Sequence, residues 1–336
     1  MVIYLKHISN LALLKHSLHI EPEMPKKTTP AAKPAVTSEL SKKEKSKSST
    51  NVLKKSVEPK SAPKKKVVAK KGESSKQAKQ DSGAGEIFSR ALELHLQGKL
   101  QEAWALYQEV LKISPKYFDA LHSLGLIAAQ MGDFDMAMQL FDQAVPINPK
   151  NPQVHNNMAN ALASLGKGNE ALAQYDLAVS LEPNYAEAFN NRGILLRGLK
   201  QLKEAVESYS KAIAINPGFV EAFFNRGNAL VELREFIPAI QSYDRAIDLN
   251  ANHAAALNNR GVVLRSLKKA DLALKNFDRA IAIKPDYIDA HNNRGYTLLD
   301  LKQYKEAISS FNNALTLKPD FQSAIEGRAE AIKLSD

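Results

Sequence analysis

Residues 186–219 read AEAFNNRGILLRGLKQLKEAVESYSKAIAINPGF, and residues 254–287 read AAALNNRGVVLRSLKKADLALKNFDRAIAIKPDY. Both stretches carry Asn-Asn-Arg-Gly near their start, then an alanine, an aromatic residue, a second alanine and a proline at matching places. A fixed period of this kind predicts an array of helical hairpins, in which each unit buries its apolar face against its neighbours. The central alanine recurs every 34 residues without an insertion, at Ala103, Ala137, Ala171, Ala205, Ala239, Ala273 and Ala307.

Two further series keep step with these alanines. A small residue precedes each alanine by 12 residues, and an aromatic ring follows it by four. Glycine inside a helix costs about 1 kcal/mol relative to alanine, so its recurrence predicts that two helices approach closely beside the ring. Proline ends most units. Pro146 falls earlier in its unit and predicts a second helix that is either shortened or kinked. The small residues are Ala91, Gly125, Ala159, Gly193, Gly227, Gly261 and Gly295, and the rings are Tyr107, Phe141, Tyr175, Tyr209, Tyr243, Phe277 and Phe311.

These positions resemble the tetratricopeptide repeat pattern, whose first helix carries a large residue and Leu-Gly and whose second carries Ala, an aromatic residue, Ala and Pro. In the fourth unit the matching residues are Phe189, Gly193, Leu196, Ala205, Tyr209, Ala212 and Pro217. The resemblance extends over residues 84–336. One departure is an arginine where the family has leucine, at Arg192, Arg226, Arg260 and Arg294. We expect each stem to lie over the packed face while its guanidinium reaches an acid of a second helix, such as Asp244 or Asp278.

The resemblance implies an all-α fold: a right-handed superhelical solenoid of seven 34-residue helix-turn-helix repeats, with a disordered basic tail before it and a C-terminal capping helix after it. The capping helix is expected at residues 322–336, where an apolar stripe faces the last repeat and charged residues face solvent. The predicted repeats are residues 84–117, 118–151, 152–185, 186–219, 220–253, 254–287 and 288–321.

The N-terminal quarter differs in composition from the repeats. The whole chain has a formal net charge of +10, yet residues 24–83 alone carry +12, from 17 lysines and five acids. This segment has no aromatic residue and is rich in Lys, Pro, Ser and Ala, so we predict that it is disordered. It resembles linker-histone tails, which implies a weak, salt-sensitive contact with a polyanion. The alternatives are a solubilising leash and an autoinhibitory contact with the chain's own groove.

Residues 1–23 form a short leader that is harder to interpret. Its apolar run, residues 11–14, is far too short to span a bilayer, and no signal-peptide cleavage site follows it. One hypothesis is that translation starts at Met24. We predict no membrane span and a cytoplasmic location.

Residue types that carry catalysis are scarce and scattered. The chain contains no cysteine, and its eight histidines include no His-Glu-x-x-His motif. A disulfide scaffold, a zinc ribbon and a thiol nucleophile are therefore excluded. We predict a protein that is not an enzyme and that has no catalytic residue, metal site or cofactor.

Asparagines occupy a repeated polar position on the first helix of five units. In tetratricopeptide proteins this position faces the concave groove, so the resemblance implies a peptide-binding row at Asn157, Asn191, Asn225, Asn259 and Asn293. A carboxamide can pair with both the N–H and the C=O of an extended peptide. This row is similar to the asparagine ladder of O-GlcNAc transferases and bacterial SPINDLY-like proteins. The alternative is that these amides bond their own scaffold. The preceding residues form a less complete second row at Asn156, Asn190, Asn258 and Asn292.

The charges at the predicted groove positions favour neutral or basic peptides over acidic ones. Lysines and arginines that clamp acidic chaperone tails in some tetratricopeptide domains have no counterpart here, so we predict that such tails are not ligands. Acids stand at one groove position instead, including Glu187, Glu221 and Asp289, and would repel a carboxylate. We therefore predict a non-catalytic scaffold or adaptor that binds a neutral or basic extended peptide. The alternative is the substrate-recognition arm of a protein O-GlcNAc transferase, inactive alone.

Overall fold

The computed structural model describes residues 73–335, with side chains from Gly83 onward. Within that range the chain forms helices and no strand. The predicted leader at 1–23 and most of the predicted disordered tail, residues 24–72, lie outside the described residues. The helices are α1 Glu73–Leu96, α2 Leu100–Ile113, α3 Phe118–Gln130, α4 Phe134–Ala144, α5 Pro152–Ser164, α6 Gly168–Leu181, α7 Ala186–Gly198, α8 Leu202–Ile215, α9 Val220–Glu232, α10 Phe236–Leu249, α11 Ala254–Ser266, α12 Ala270–Ile283, α13 Ile288–Asp300, α14 Tyr304–Leu317 and α15 Gln322–Ser335.

Helix α1 begins at Glu73, before the first predicted repeat. Residues 73–83, which composition assigns to the disordered tail, therefore have a helical backbone. The physical reason is that extending a helix costs much less than nucleating one. The packed residues from Ala84 onward provide the nucleus, and the segment just before them contains the good helix formers Lys, Gln and Ala.

Consecutive helices pack in pairs, and the pairs stack into a solenoid. The odd-numbered helices α1–α13 are the first helices of the seven repeats, here called A helices, and α2–α14 are the second, or B, helices. Helix α15 packs on both helices of the last pair. From the second repeat onward, the A helix of one repeat also touches the A helix of the next, whereas B helices make no comparable contact in the described part of the chain. The A helices therefore line the inner side of the stack.

The repeated small residues lie where helices approach each other most closely, as the sequence predicts. All seven central alanines are fully buried. A Cβ atom added to Gly193 would lie 2.6 Å from a ring carbon of Tyr209, and one added to Gly227 would lie 2.6 Å from Tyr243. Glycine is therefore used in these A helices because the ring of the paired B helix occupies the space of a side chain.

The turn between the two helices of each repeat contains one residue with positive φ. In the first three repeats this residue is glycine, and in the last four it is a lysine or an arginine with φ near 60°. Sequence reasoning missed this turn because a charged residue gives no signal of a left-handed backbone. The residues are Gly98, Gly132, Gly166, Lys200, Arg234, Lys268 and Lys302.

The second repeat has the shortest B helix. Helix α4 has 11 residues and ends at Ala144, whereas the other B helices have 14. Pro146 follows its end and cannot donate a backbone hydrogen bond to the last turn. The shortened helix that the proline predicts is therefore observed.

Candidate functional site

The five asparagines of the predicted groove row form a chain of hydrogen bonds between A helices, which we call the asparagine ladder. In each rung, Nδ2 of one asparagine contacts a residue of the preceding A helix. The fourth rung differs because Phe224 occupies the usual acceptor place, and Asn259 bonds Asn228 instead. The Nδ2 contacts are Asn157 with His122 Nε2 (2.8 Å), Asn191 with Asn156 Oδ1 (3.2 Å), Asn225 with Asn190 Oδ1 (3.2 Å), Asn259 with Asn228 Oδ1 (2.9 Å) and Asn293 with Asn258 Oδ1 (3.0 Å).

The ladder leaves part of each carboxamide unused. A carboxamide has two N–H donors and one oxygen, and one N–H is engaged in each rung. The Oδ1 atoms of Asn157 and Asn259 also accept a hydrogen bond, from the asparagine just before them. The Oδ1 atoms of Asn191, Asn225 and Asn293 accept none from the described residues. These three amides therefore keep one donor and one acceptor each.

The second row of predicted groove asparagines is buried, as are Asn157 and Asn191 of the ladder, at 4% and 8% exposed. Asn156, Asn190, Asn258 and Asn292 are 1%, 6%, 5% and 4% exposed, respectively. The first three supply the oxygen atoms that the ladder uses. Asn292 donates to Ser323 Oγ at 3.2 Å, and its own Oδ1 is buried without a partner. A direct contact between this row and a peptide would require the side chains to turn outward, and their role in peptide binding stays a prediction.

The predicted groove acids lie in the first turns of their A helices. Glu187 is half-buried, and Glu221 and Asp289 are exposed. Burial, with the charge of Asp289 acting in the same direction, raises the pKa of Tyr287 to about 12. Burial lowers the pKa of His253, while the charge of Glu221 opposes that shift. Asp289 thus acts on the N-cap residue of its own A helix, and Glu221 acts on the N-cap residue of the next A helix.

Sequence reasoning missed a set of ion pairs between consecutive A helices. Arg197 donates to Glu232 at 2.6 Å, and Lys200 lies 3.2 Å from the other oxygen of that carboxylate. Arg265 forms the equivalent pair with Asp300 two repeats later, at 2.6 Å. Burial alone would raise the pKa of Glu232, but the hydrogen bonds and charges of its two partners outweigh burial and hold the pKa below its usual range. The sequence contains one sign of these ion pairs, since an acidic residue follows each arginine 35 positions later.

Three of the four A-helix arginines reach an acid of a second helix as the sequence predicts, and Arg226 does not, because serines stand at both of its partner places. Each guanidinium contacts one residue of the preceding B helix and one of its own B helix, and we call this contact an arginine bridge. Three of the four bridges end on an aspartate, including the predicted Asp244 and Asp278. The contacts are Arg192 with Asp176 (2.7 Å) and Ser208 (2.6 Å), Arg226 with Ser210 (3.5 Å) and Ser242 (3.1 Å), Arg260 with Asp244 and Asn276 (2.8 Å), and Arg294 with Asp278 (2.7 Å) and Ser310 (2.6 Å).

The described part of the chain, residues 73–335, offers neither a metal site nor a membrane span. It contains no cluster of three or more histidine, cysteine or acidic side chains placed to hold a metal ion. None of its helices is both long and apolar enough to cross a membrane.

Comparison with protein families now assigns the fold. Models of the tetratricopeptide repeat match residues 94–161, 128–190, 186–219, 224–288 and 288–321, which together are more than half of the chain. The chain belongs to the tetratricopeptide repeat (TPR) family. The TPR fold is in general a scaffold for interactions with proteins and peptides, and TPR proteins are generally non-catalytic.

Solved structures agree with the family assignment. The chain is similar to YrrB, described as a TPR protein with an unusual peptide-binding site, at 28% identity and a TM-score of 0.50, over 56% of this chain and 97% of YrrB. Two more distant structures support the fold alone. They are pilF of Pseudomonas aeruginosa (20% identity, TM-score 0.57, 63% of this chain and 97% of that one) and the C-terminal part of a TPR protein from Cytophaga hutchinsonii (16%, 0.59, 71% and 98%). A comparison with curated protein sequences found no significant match.

Proposed function

We propose that this chain is a non-catalytic scaffold that holds an extended, neutral or basic peptide along the inner surface of its A helices. The observation that carries the proposal is the unused hydrogen-bonding capacity of Asn191, Asn225 and Asn293. Each keeps a free oxygen and a second N–H after its ladder contact is made. A peptide backbone can donate to the oxygen and accept from the N–H.

The ladder would also prepare these amides for binding. A side chain that is already fixed by a hydrogen bond loses little conformational freedom when it binds a ligand. Each ladder contact spans two A helices and fixes the orientation of the carboxamide. The scaffold contact and the peptide contact are therefore compatible, because they use different atoms of the same amide.

Charge and similarity support the choice of ligand. Glu187, Glu221 and Asp289 stand at the same place in three A helices and favour lysine or arginine over carboxylates in a bound peptide. The description of YrrB as a peptide-binding TPR protein supports peptide binding by this chain as well.

The test combines capture with affinity measurement. Proteins captured from a native lysate by the full chain would be identified by mass spectrometry, and their extended segments synthesised as peptides. We expect the triple variant Asn191→Ala, Asn225→Ala, Asn293→Ala to bind these peptides at least about tenfold more weakly, because several hydrogen bonds are lost. The control is Asn313→Ala, which changes an exposed asparagine on a B helix.

Circular dichroism would verify that both variants remain folded. If the triple variant is folded and binds with the affinity of the wild-type chain, the proposal is wrong. The alternative of a glycosyltransferase arm stays a prediction. Incubating the chain with UDP-GlcNAc does not test that alternative, which is inactive alone, but it tests the non-catalytic assignment, because transfer or hydrolysis above the blank would contradict it.

A further inference from the structure

The arginine bridges fill one kind of cleft in four places. Each cleft lies between two successive B helices and is floored by the A helix between them. In repeats 4–7 the arginine of that A helix enters the cleft, and its guanidinium bonds both walls. The bridging arginine and its two partners are always separated by 16 residues, one partner before it and one after it.

The corresponding cleft between repeats 2 and 3 is open. By the same spacing, Met158 stands at the arginine place, Asp142 at the place of the bridging acids, and Gln174 at the place of the second partner. A cavity of about 460 Å³ lies here, and these three residues are among those that line it. Methionine cannot donate a hydrogen bond to Asp142. The cleft therefore keeps the acceptor of an arginine bridge but lacks the donor.

The acid of this cleft is free to bind. The carboxylate of Asp142 is exposed and makes no ion pair or hydrogen bond with the described residues, whereas Asp176, Asp244 and Asp278 each pair with an arginine. The Gln174 carboxamide is held within 2.8 Å of the His155 ring.

The rest of the lining suits the body of an arginine side chain. Met138, Met158, Leu162 and Leu165 provide apolar walls, and Asp135 and Glu170 add negative charge against the single ammonium of Lys167. An arginine packs its stem on apolar surface while its planar head bonds a carboxylate through two N–H groups. Both features that this side chain requires are therefore present.

The preceding cleft has the same register but no acid to receive an arginine. In repeat 2 the same place holds Leu124, and the second partner is Leu140. Both are buried, with 2% and 8% of their surface exposed. Met158 is just as buried, with 7% of its surface exposed. The two clefts therefore differ at the partner places, where the preceding cleft has Gln108 and Leu140 and this cleft has Asp142 and Gln174.

We infer that the cleft between repeats 2 and 3 binds the guanidinium group of an arginine side chain supplied by a partner protein. The partner's arginine would lie where repeats 4–7 place their own, with its stem on Met158 and its head on Asp142. The site is formed mainly by B helices and is separate from the asparagine ladder. It can therefore be present whether or not the inner surface binds a peptide.

Methionine methyl groups provide a direct probe of this cleft. The chain has six methionines, and two of them, Met138 and Met158, line the cavity. Met131 and Met136 are 60% and 38% exposed outside it and serve as internal references. The full chain, labelled with ¹³C at the methionine methyls, would be titrated with N-acetyl-arginine amide, with the lysine analogue and with the citrulline analogue, which has the shape of arginine without its charge.

We expect arginine to shift the Met138 and Met158 resonances and to leave Met131 and Met136 in place. Citrulline should cause no shift at the same concentration. Equal or stronger shifts with lysine would overturn the guanidinium assignment and point instead to an ammonium group, such as one of the 17 lysines of residues 24–83. Absence of any shift with arginine would also overturn it.

Variants at two equivalent positions then identify the contact. Asp142→Asn should weaken arginine binding about tenfold, because a charge-assisted hydrogen bond is lost. The matched control is Asp176→Asn, which stands one repeat later, where the chain's own Arg192 already occupies the cleft. Met158→Arg should abolish binding by filling the site from within. If Asp142→Asn and Asp176→Asn bind arginine equally well, Asp142 is not the receptor and the inference fails.

Discussion

Repeats 1–3 and repeats 4–7 share one 34-residue period, but different interactions connect each repeat to the next. Buried apolar side chains of repeats 1 and 2 and of the first helix of repeat 3 form one cluster, from Ala84 to Ala161, while Ala178 and Tyr185 of repeat 3 belong to a separate small cluster with Ala188. In the later repeats the apolar residues divide into several smaller clusters, and arginine bridges occupy the clefts between B helices. The small residues and the rings are common to both regions and fix the period. The cleft between repeats is therefore the part of the unit that is free to change, and its chemistry changes between repeats 2 and 4.

The two regions also differ in backbone strain. The left-handed turn residue is glycine in repeats 1–3 and lysine or arginine in repeats 4–7. A left-handed conformation costs a non-glycine residue about 1–2 kcal/mol. Each of the later repeats therefore contains a strained turn residue that the earlier repeats do not have. The arginine bridges of these repeats offset part of that free-energy cost.

The largest expected difference between the regions is their response to acid. Burial lowers the pKa of His122 from 6.5 to about 4, and that of His95 to about 4 as well. They lie in repeats 1 and 2, while in the later repeats burial also lowers the pKa of His253, with the charge of Glu221 opposing that shift. Because the unfolded chain takes up these protons near pH 6.5 and the folded chain does not, stability is lost as the pH falls from 6.5 towards 4. The slope is at most about 1.4 kcal/mol per pH unit for each histidine.

The change that isolates this effect is His122→Asn, because asparagine occupies the same place in repeats 3, 4, 6 and 7. At pH 4.5 we expect the wild-type chain to have lost about 2–3 kcal/mol that the variant retains. Urea unfolding at pH 7.5 and 4.5 would be followed by the fluorescence of Trp104, the single tryptophan, which lies in repeat 1. An equal loss of stability in both proteins would contradict the prediction.

The second prediction concerns the left-handed turns. Lys268→Gly should stabilise repeat 6 by about 1 kcal/mol, since glycine removes the strain but adds some freedom to the unfolded chain. The converse change, Gly132→Lys, should destabilise repeat 2 by a similar amount. A Cβ atom at Gly132 would meet no other atom within 4 Å, so crowding does not complicate the comparison.

Hydrogen exchange measured by mass spectrometry would report these two changes repeat by repeat. Opposite signs at the two sites are expected. Two changes of the same sign would show that the difference between the regions does not come from the turn.

Much of this fold could be predicted from the sequence, because a repeat fixes its contacts locally. The contact of Gly193 with Tyr209 and the bridges of the arginines both follow from residue type and register. The function of the ladder could not be predicted in the same way. Whether an amide bonds a peptide or its own scaffold depends on the distance between successive A helices, which the 34-residue period does not give. The switch of Asn259 from the usual acceptor to Asn228, caused by Phe224, required coordinates.

The cleft between repeats 2 and 3 likewise could not be predicted from the sequence. The 34-residue register aligns Met158 with the bridging arginines of the later repeats. It does not show whether neighbouring side chains fill the space that an arginine would occupy. The cavity that Met158 and Asp142 line is visible only in the structure, because Met158 is as buried as Leu140 of the preceding cleft. The cleft between repeats 2 and 3, inside the first region, is thus a place where a site can form without disturbing the period.

The smallest expected change in stability comes from exchanging the arginine and the methionine that stand at the same place in the two kinds of cleft. Arg260→Met should destabilise repeat 6 by about 0.5–1 kcal/mol, because the ion pair with Asp244 is partly exposed and its contribution is reduced by solvent. Met158→Arg should stabilise repeat 3 by a similar amount by completing a bridge to Asp142. Hydrogen exchange in α11 and α5 would measure both changes. If Met158→Arg destabilises repeat 3, the cleft between repeats 2 and 3 does not have the geometry of an arginine bridge, and the two regions differ in more than one side chain.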